Sequence, residues 1–500
     1  MPNPQTTNGR VATDLADIEA ERQPASSVPI DPRDDAELAS PAGVAGLELG
    51  GPGTAVKLVV PIVVGTRPEA IKLVPIILAL RDSQFYEPIV ISTGQHHRMV
   101  GEIFDLAGIK TDVTLWAGTR RELNERVTSV MSRFEDFFVE WFGIPAGEPD
   151  LAAILAGRAP ACVLVHGDTS SAMAAALAAF HLRVPVMHVE AGLRTGGLNL
   201  TPFPEELNRQ LISSIACMHF APTFDNLEAL VRENVPVEQV FVTGNTGIDA
   251  LRWASELDVP YGDPALQELH DSDARIVVVT AHRRENWETG LDGIAAGVAR
   301  LARAHEDVRF VVPLHPNPLV GRKLGDPLRD LPNVLLCEPL GYARFARLLA
   351  RSYMVITDSG GIQEEAPSLG KPVLVTRATT ERNEGVDAGT LLLVGADPDR
   401  IFAEGERLLT DRGAYAEMSG AQNPYGDGRA AERIVAALEH LVFGGDPPAP
   451  FGPGYSRRAI GAAAGLSGQM EPVATMLAQI AERDRVAKPS AGQGDEPWMM

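Results

Sequence analysis

Cysteine is scarce in this 500-residue sequence, and long apolar runs are missing. The three cysteines, Cys162, Cys217 and Cys337, lie singly inside apolar segments without metal-ligand spacing, so we interpret them as buried, reduced thiols. The longest apolar runs, such as 58–64 and 172–180, fall well short of the roughly 20 residues that span a bilayer. The first 22 residues lack the basic start and apolar core of a secretory signal. We therefore expect a cytoplasmic protein without a membrane partner.

Basic residues are also in short supply. The 44 Lys and Arg against 66 Asp and Glu give a formal charge of -22, which argues against nucleic acid or an anionic membrane as the main partner. A local basic pocket for an anion remains compatible with this balance. The 45% hydrophobic and 22% charged content is that of an ordinary globular protein, and a chain this long normally divides into two or three domains.

The order of segments predicts an α/β fold with two Rossmann-like domains whose parallel sheets face a central cleft. Residues 1–55 have the composition of a disordered acidic tail, with nine acidic and three basic side chains. Strands and helices then alternate through a first domain, 56–247, and a second, 248–425, followed by a closing helix in 426–443. The tail 444–500 is low in complexity, with one further helix predicted over 472–486. Predicted strands are 58–64, 88–93, 161–166, 184–188, 219–221, 240–243, 275–281, 309–314, 334–337, 354–357, 372–375 and 390–394.

Polar groups follow several predicted strands, at the sheet edge where open α/β proteins bind ligands. The segment 65–72 has Gly65 for a tight turn and Pro68 for a first helical turn. Arg67 and Lys72 add positive charge near that helix N-terminus, which favours a diphosphate. A solvated basic turn is the alternative.

Three carboxylates of the first domain are candidates for proton transfer: Asp168 and Glu190 come after predicted strands, and Glu205 lies in the first turn of a helix that begins after Pro204. Asp168 ends a strand and could instead cap the next helix; Glu190 has no capping role; and Glu205 could form a surface ion pair with Arg209 at i and i+4. If the three carboxylates meet, mutual repulsion and desolvation raise at least one pKa. Such a group can transfer protons near neutral pH.

The second domain offers donors for an anion. The turn Ser359, Gly360 and Gly361 exposes backbone N–H groups and a hydroxyl, and Glu365 one turn later can bind ribose hydroxyls. His282 and Arg283 leave another strand and would add donors to the same diphosphate. No dinucleotide glycine fingerprint, P-loop or metal-spaced His/Cys set occurs in the sequence.

Taken together, residues 56–442 closely resemble the non-hydrolysing UDP-N-acetylglucosamine 2-epimerases, a family with the glycosyltransferase-B-like architecture. The resemblance rests on the combination of GTRPEAIK (65–72), TGQH (93–96), VHGDT (165–169), HVEAGLRTG (188–196), PFPEELNRQ (202–210), PTFDNLEAL (222–230), TGNTGIDAL (243–251), HRREN (282–286), TDSGGIQEEAPSLGKPVLV (357–375), TTER (379–382) and NPYGDG (423–428). It implies reversible interconversion of UDP-N-acetylglucosamine and UDP-N-acetylmannosamine without NAD or a metal, through elimination of UDP to 2-acetamidoglucal and re-addition. A homodimer is the common assembly of the family.

The resemblance also implies roles for individual residues. Asp168, Glu190 and Glu205 match the acid/base carboxylates, with Arg209 and His96 as neighbouring active-site positions. The diphosphate would be held by Arg67, Lys72, His282, Ser359, Gly360 and Gly361, with His282 counted among the catalytic groups. Glu365 would bind the ribose, Phe345 the uracil, and Arg382 would line the pocket.

Three features depart from the family pattern. The usual QHRxM reads QHHRM at 95–99, which displaces an arginine by one position near the site where bacterial members bind a second UDP-N-acetylglucosamine as activator. We therefore do not carry allosteric activation over. The segment 115–160 is longer than usual, and neither tail has a counterpart. An epimerase of a modified sugar, a glycosyltransferase of the same fold, a hydrolysing epimerase and an inactive sensor stay open as alternatives.

Overall fold

A computed structural model describes residues 56–118, 122–143, 151–195, 200, 202–380, 382–444 and 446–452. The predicted tail 1–55 and the helix predicted over 472–486 lie outside the described residues. No helix in the described part of the chain is long and apolar enough to cross a membrane.

The first sheet has seven parallel strands in the order β3-β2-β1-β4-β5-β6-β7. The interior strand β1 is buried at every position, as expected for a strand covered by helices on both faces. The strands are β1 Leu58–Val64, β2 Tyr86–Ser92, β3 Val113–Thr114, β4 Val163–His166, β5 Val186–Val189, β6 Met218–Ala221 and β7 Val240–Val242. The two-residue β3 was not predicted from the sequence.

Helices cover both faces of this sheet and bury two apolar clusters against it. They are α1 Arg67–Asp82, α2 His97–Leu106, α3 Leu123–Phe142, α4 Leu151–Leu155, α5 Ser170–His181, α6 Glu205–Ile215 and α7 Phe224–Arg232. Pro68 lies in the first turn of α1, where its missing N–H costs nothing. Much of the segment 115–160 forms the 20-residue helix α3, which packs Val130, Phe134 and Phe138 into the core beside α5.

The second sheet has six parallel strands in the order β10-β9-β8-β11-β12-β13. These are β8 Arg275–Thr280, β9 Val308–Pro313, β10 Val334–Cys337, β11 Met354–Thr357, β12 Val373–Val375 and β13 Leu391–Leu393. The helices of this part are α8 Thr246–Glu256, α9 Pro264–Asp271, α10 Gly290–Ala304, α11 Pro318–Val320, α12 Tyr342–Arg351, α13 Gly360–Glu365, α14 Asn383–Asp387, α15 Pro398–Thr410 and α16 Arg412–Ser419. Two further clusters form its core. The α/β class with two parallel sheets is thus confirmed.

Two neighbouring connections join the sheets. The chain enters the second part through Gly244 and Asn245, and it returns through 423–428 to a last helix, α17 Ala430–Phe443. The Asn245 N–H donates to the Tyr425 carbonyl at 2.8 Å, so the outgoing and returning segments touch. Helix α17 packs on α1 and shares its apolar cluster. The last helix of the chain therefore covers the first sheet, although it follows the second sheet in sequence.

Candidate active site

Asp168 lies in the loop between β4 and α5, immediately after Gly167, which has a positive φ of 66°. Thr169 is the N-cap of α5, because its hydroxyl accepts from the Ala172 N–H at 3.0 Å. The alternative that Asp168 caps this helix is therefore wrong. Its carboxylate instead lies 2.5 Å from the Arg209 guanidinium.

Arg209 reaches this loop from α6 and is nearly buried. Its guanidinium pairs with Asp168 and, at 3.0 Å, with the buried Glu206. Arg209 therefore belongs to an internal network, and the alternative of a surface ion pair with Glu205 is not what the structure shows. Asn208 adds to it by donating from its side-chain amide to the Asp168 carbonyl at 2.8 Å.

Glu190 follows β5 with a φ of 61°, a left-handed conformation that costs a non-glycine residue on the order of 1–3 kcal/mol. This backbone directs the carboxylate into the site, where it contacts the Lys72 ammonium. The Nε2 atom of His166 is 3.9 Å from the same carboxylate. Burial raises the pKa of Glu190, but Lys72 and then His166 outweigh it, and the pKa falls to about 2.

The electrostatic coupling among the carboxylates shows that the structure brings the three together. Burial is the main reason that the pKa of Asp168 is raised; Arg209 opposes the rise, and the charges of Glu190 and Glu205 add to it. The predicted elevated pKa is thus found at Asp168, whereas Glu190 is shifted in the opposite direction. One edge therefore carries a carboxyl group that holds a proton more readily than usual and a carboxylate that stays ionised.

The start of α1 differs from the prediction in two ways. Gly65 is needed for close approach, because a Cβ there would lie 2.6 Å from the Ser171 hydroxyl. The N–H groups of Gly65 and Thr66 already donate to the buried Glu69 carboxylate at 2.9 and 2.6 Å, so they are not offered to a phosphate. Thr169 also donates to Glu69, at 2.6 Å, which ties this turn to the Asp168 loop. The Thr66–Glu69 spacing of a capping box was the signal that could have revealed this role.

Of the cations expected at the diphosphate, Lys72 lies between the two sheets. Burial lowers the pKa of Lys72, but the carboxylates of Glu190 and then Glu364, with Glu365, raise it above its ordinary value. Burial and then the charge of Glu365 raise the pKa of the Tyr342 hydroxyl, and the charge of Arg67 opposes this rise. The carboxyl edges of the two sheets therefore face each other.

His96 is at the start of α2 on the same edge, where its N–H donates to the Gly65 carbonyl at 2.9 Å. Burial and the charge of Arg126 lower the pKa of its side chain. Arg98, the displaced arginine, is 91% exposed and pairs with Glu102 on the following turn at 3.1 Å. It thus lies outside the network around Asp168 and Glu190.

The second edge is organised by Asp358, a completely buried residue that the sequence reading did not single out. Its carboxylate accepts from the N–H groups of His282 and Arg283 at 3.0 and 2.9 Å and from the Asn286 side chain at 2.9 Å. The His282 ring is 39% exposed, and burial is the main cause of its lowered pKa. An aspartate directly after a buried strand, facing a second strand-end loop, was the available signal.

Two guanidinium groups converge on the turn Ser359 to Gly361. A Cβ on Gly360 would lie 3.2 Å from the Arg382 guanidinium and 3.3 Å from that of Arg283. Arg382 also donates to Glu364 at 3.0 Å, and Glu364 accepts from Asn245 at 2.9 Å. The turn and the two arginines form a cationic pocket suited to a phosphate.

Glu365 lies beside this pocket, because a Cβ on Gly361 would be 3.6 Å from its carboxylate. Burial, followed by the charge of Glu364, raises the pKa of Glu365 to about 8, so this carboxyl is largely protonated at pH 7. Phe345 is half-buried on α12. The Tyr342 hydroxyl from the same helix is buried without a hydrogen-bond partner among the described residues, and the sequence reading missed it. In the described ranges, no group of three His, Cys, Asp or Glu side chains could hold a metal ion.

Two parallel sheets with facing carboxyl edges are the architecture of the glycosyltransferase-B-like class. A family model described as UDP-N-acetylglucosamine 2-epimerase matches residues 149–439. The Escherichia coli K12 UDP-N-acetylglucosamine 2-epimerase is 44% identical over 384 residues, 76% of this chain and 97% of that protein. The Bacillus subtilis enzyme of the same name is 43% identical over 388 residues, 77% of this chain and 96% of its own length.

Solved structures agree with these relatives. The Neisseria meningitidis UDP-GlcNAc 2-epimerase bound to UDP-GlcNAc superposes with a TM-score of 0.67 at 39% identity, covering 76% of this chain and 99% of that one. The chain belongs to the UDP-N-acetylglucosamine 2-epimerase family, whose members are isomerases. The family expected from the sequence is therefore confirmed, together with its α/β fold of two parallel sheets.

Proposed function

We propose that this protein interconverts UDP-N-acetylglucosamine and UDP-N-acetylmannosamine by anti elimination of UDP, formation of 2-acetamidoglucal and re-addition of UDP from the same site. One observation supports this most strongly. Asp168 and Glu190 lie on one edge, and the guanidinium groups of Arg283 and Arg382 lie on the edge that faces it. The related Neisseria protein is described as bound to UDP-GlcNAc, which supports the same substrate here.

The chemistry explains why both edges are needed. The proton on sugar C2 is not adjacent to a carbonyl, so it is too weakly acidic to leave first. Departure of UDP has to lead, and cationic groups stabilise the charge that develops on the leaving diphosphate. A carboxylate can then remove the C2 proton from the oxocarbenium-like sugar, and a proton returned to the opposite face inverts C2.

We assign the roles as follows. Asp168, Glu190 and Glu205 form the acid/base set, and Arg209 and His96 shape it. Arg67, Lys72, His282, Ser359, Gly360 and Gly361 would bind the diphosphate, and we add Arg283 to this group because its guanidinium lies over Gly360. Glu365, whose carboxyl can act as a donor, would bind the ribose, Phe345 would pack on the uracil, and Arg382 would line the pocket.

Incubation with UDP-N-acetylglucosamine in deuterium oxide tests the proposal. We expect deuterium at C2 and the appearance of UDP-N-acetylmannosamine, without NAD and without free N-acetylmannosamine. Release of the free sugar would identify a hydrolysing epimerase, and exchange only with a modified UDP-sugar would identify a different substrate. If neither substrate exchanges, transfer to an added acceptor would identify a glycosyltransferase, and UDP binding alone would identify a sensor.

The assembly and the location of the protein stay predictions. A homodimer is consistent with exposed apolar side chains at the start and along one side of α6, namely Phe203, Leu207 and Leu211. Light scattering behind size-exclusion chromatography would measure its mass directly. We keep the cytoplasm as the expected compartment.

A further inference from the structure

Three histidines are buried side by side in the first sheet, and the mechanism above uses none of them. His166, His188 and His219 lie on β4, β5 and β6, and at most 3% of any of them is exposed. The Nε2 atom of His166 has no hydrogen-bond partner among the described residues and lies 3.9 Å from the Glu190 carboxylate. A buried imidazole nitrogen left without a partner is costly, so its position calls for an explanation.

Lys72 is the present partner of Glu190, yet it also belongs to the proposed diphosphate site. Its ammonium contacts Glu190 and lies within the electrostatic influence of Glu364 and Glu365 on the facing edge. A diphosphate carries more negative charge than one carboxylate and would draw the ammonium toward itself. That movement would leave Glu190 buried without its closest donor, which is strongly unfavourable.

We propose that His166 is a positioning residue for Glu190: when Lys72 turns to the diphosphate of a bound substrate, the His166 Nε2–H becomes the donor that holds the carboxylate. The inference rests on the proposed function, because it assigns Lys72 to the diphosphate. A movement of about 1 Å brings the pair to hydrogen-bond distance. The carboxylate keeps its place while a cationic donor is replaced by a neutral one.

The charges around Glu190 support this exchange. Lys72, His166 and Arg209 face the carboxylate and lower its pKa to about 2 against the effect of burial, which makes it a weak base in the free protein. Asp168 and His188 are the other titratable groups coupled to it. Burial lowers the pKa of His166 to about 4, so the ring is neutral at pH 7, and the tautomer that carries its proton on Nε2 donates without adding positive charge. When the Lys72 ammonium moves away from Glu190 on substrate binding, the pKa of the Glu190 carboxylate therefore rises and the group becomes a stronger base.

The neighbouring histidines differ from His166 in a way that provides a control. The Nε2 atom of His188 lies 2.7 Å from the Gly167 carbonyl and is already engaged. His219 lies opposite His188 in the register of β5 and β6. Both ring nitrogens of His219 lack a hydrogen-bond partner among the described residues. Replacing His219 removes an equally buried imidazole that does not face Glu190.

The test compares His166→Leu with His219→Leu in the full chain. C2 exchange of UDP-N-acetylglucosamine is measured in deuterium oxide from pD 5 to 9, with kcat and KM taken separately. His166→Leu should lower kcat about tenfold with little change in KM. It should also move the acidic limb of kcat up by about one unit, since the Glu190 carboxylate loses a donor. His219→Leu should leave the limb in place, and His166→Gln, which keeps an N–H donor, should restore part of the rate.

An unmoved limb in an active His166→Leu protein would overturn the inference while leaving the proposed function intact. Absence of exchange in the unmodified protein would instead contradict the proposed function. A crystal structure of the unmodified protein with UDP gives an answer that needs no variant to fold. His166 Nε2 should then lie about 3 Å from a Glu190 oxygen with Lys72 on the diphosphate. A Lys72–Glu190 contact that persists beside bound UDP would overturn the inference.

Discussion

The charged groups at the carboxyl edges of the two sheets have different kinds of partner. At the first edge each of two carboxylates has a basic partner, Asp168 with Arg209 and Glu190 with Lys72. At the second edge the buried Asp358 accepts mainly backbone N–H groups, while guanidinium groups gather over Gly360. Paired carboxylates suit proton transfer because small movements of a partner change their basicity, whereas converging cations suit a ligand that stays anionic throughout. We therefore expect the first edge to carry out the proton transfer and the second to bind the anionic ligand, and we name them the chemical edge and the binding edge.

Asp168→Asn should break the chemical edge alone. We expect the C2 exchange rate to fall about a thousandfold, since the amide cannot transfer the proton, while UDP affinity changes less than about threefold. Exchange is followed in deuterium oxide and UDP binding by calorimetry. Asp136→Asn, on the exposed side of α3, is the control and should leave both unchanged. Unchanged turnover in Asp168→Asn would remove this residue from the mechanism.

The raised pKa of Glu365 on the binding edge should make the folding stability depend on pH. Its pKa is about 8 in the folded chain against an ordinary 4.5, so between these values the folded chain holds a proton that the unfolded chain has lost. Stability contributed by this group is therefore present below pH 4.5 and lost as the pH rises toward 8. Glu365→Gln cannot lose the proton, so its stability should be close to that of the unmodified protein at pH 5 and exceed it at pH 9 by on the order of 4 kcal/mol.

Urea unfolding at both pH values measures this difference. Glu268→Gln, an exposed glutamate on α9, should show no such pH-dependent gain. A Glu365→Gln curve that runs parallel to the unmodified protein from pH 5 to 9 would contradict the raised pKa.

Arg283→Ala should weaken the binding edge without altering the carboxylates. Loss of one guanidinium over the Gly360 turn is expected to lower UDP affinity about tenfold and to reduce its dependence on salt. Titrations with UDP at low and high ionic strength measure both effects. Arg303→Ala, on the exposed last turn of α10, is the matched control. Equal losses in the two variants would show that overall charge, rather than this pocket, attracts the ligand.

Arg98→Ala should have the smallest effect. The side chain is almost fully exposed, and its pair with Glu102 on the same helix contributes no more than about 0.5 kcal/mol to stability. We expect exchange rates within about twofold of the unmodified protein and a hyperbolic dependence on UDP-N-acetylglucosamine concentration. A sigmoidal dependence that Arg98→Ala abolishes would restore the activator site that we did not carry over.

Much of the fold follows from local sequence. Runs of apolar residues between glycine turns located every strand except β3, because strands buried on both faces need continuous hydrophobic sequence. Strand ends shifted by up to two residues, as for β2, which begins at Tyr86 rather than 88. The pair Val113–Thr114 is too short to carry a periodic signal, and its pairing with β2 depends on tertiary contacts.

The sequence predicts which residues belong to the site, but not which ion-pair and hydrogen-bond partners they have. Strand-end placement identified Asp168, Glu190 and the Gly360 turn, because parallel strands bring their carboxyl ends to one edge. The choice of Glu206 over Glu205 as a partner for Arg209 depends on how α6 is rotated against the sheet. Glu69 and Asp358 resemble ordinary capping or turn residues in the sequence, and their acceptor roles emerge only when two loops from distant segments meet.

The paired connections at Asn245 and Tyr425 have a mechanical consequence. Since the two segments are hydrogen-bonded to each other, any displacement of one sheet against the other has to bend both at once. Bending about a line through both segments is compatible with the glycines they contain, including Gly244 and Gly428 at φ values of 91° and 79°. Twisting would have to shear the bond between them. If the two sheets move against each other, the paired segments would therefore act as a hinge with one preferred axis, and the acidic and cationic edges would meet in the same register.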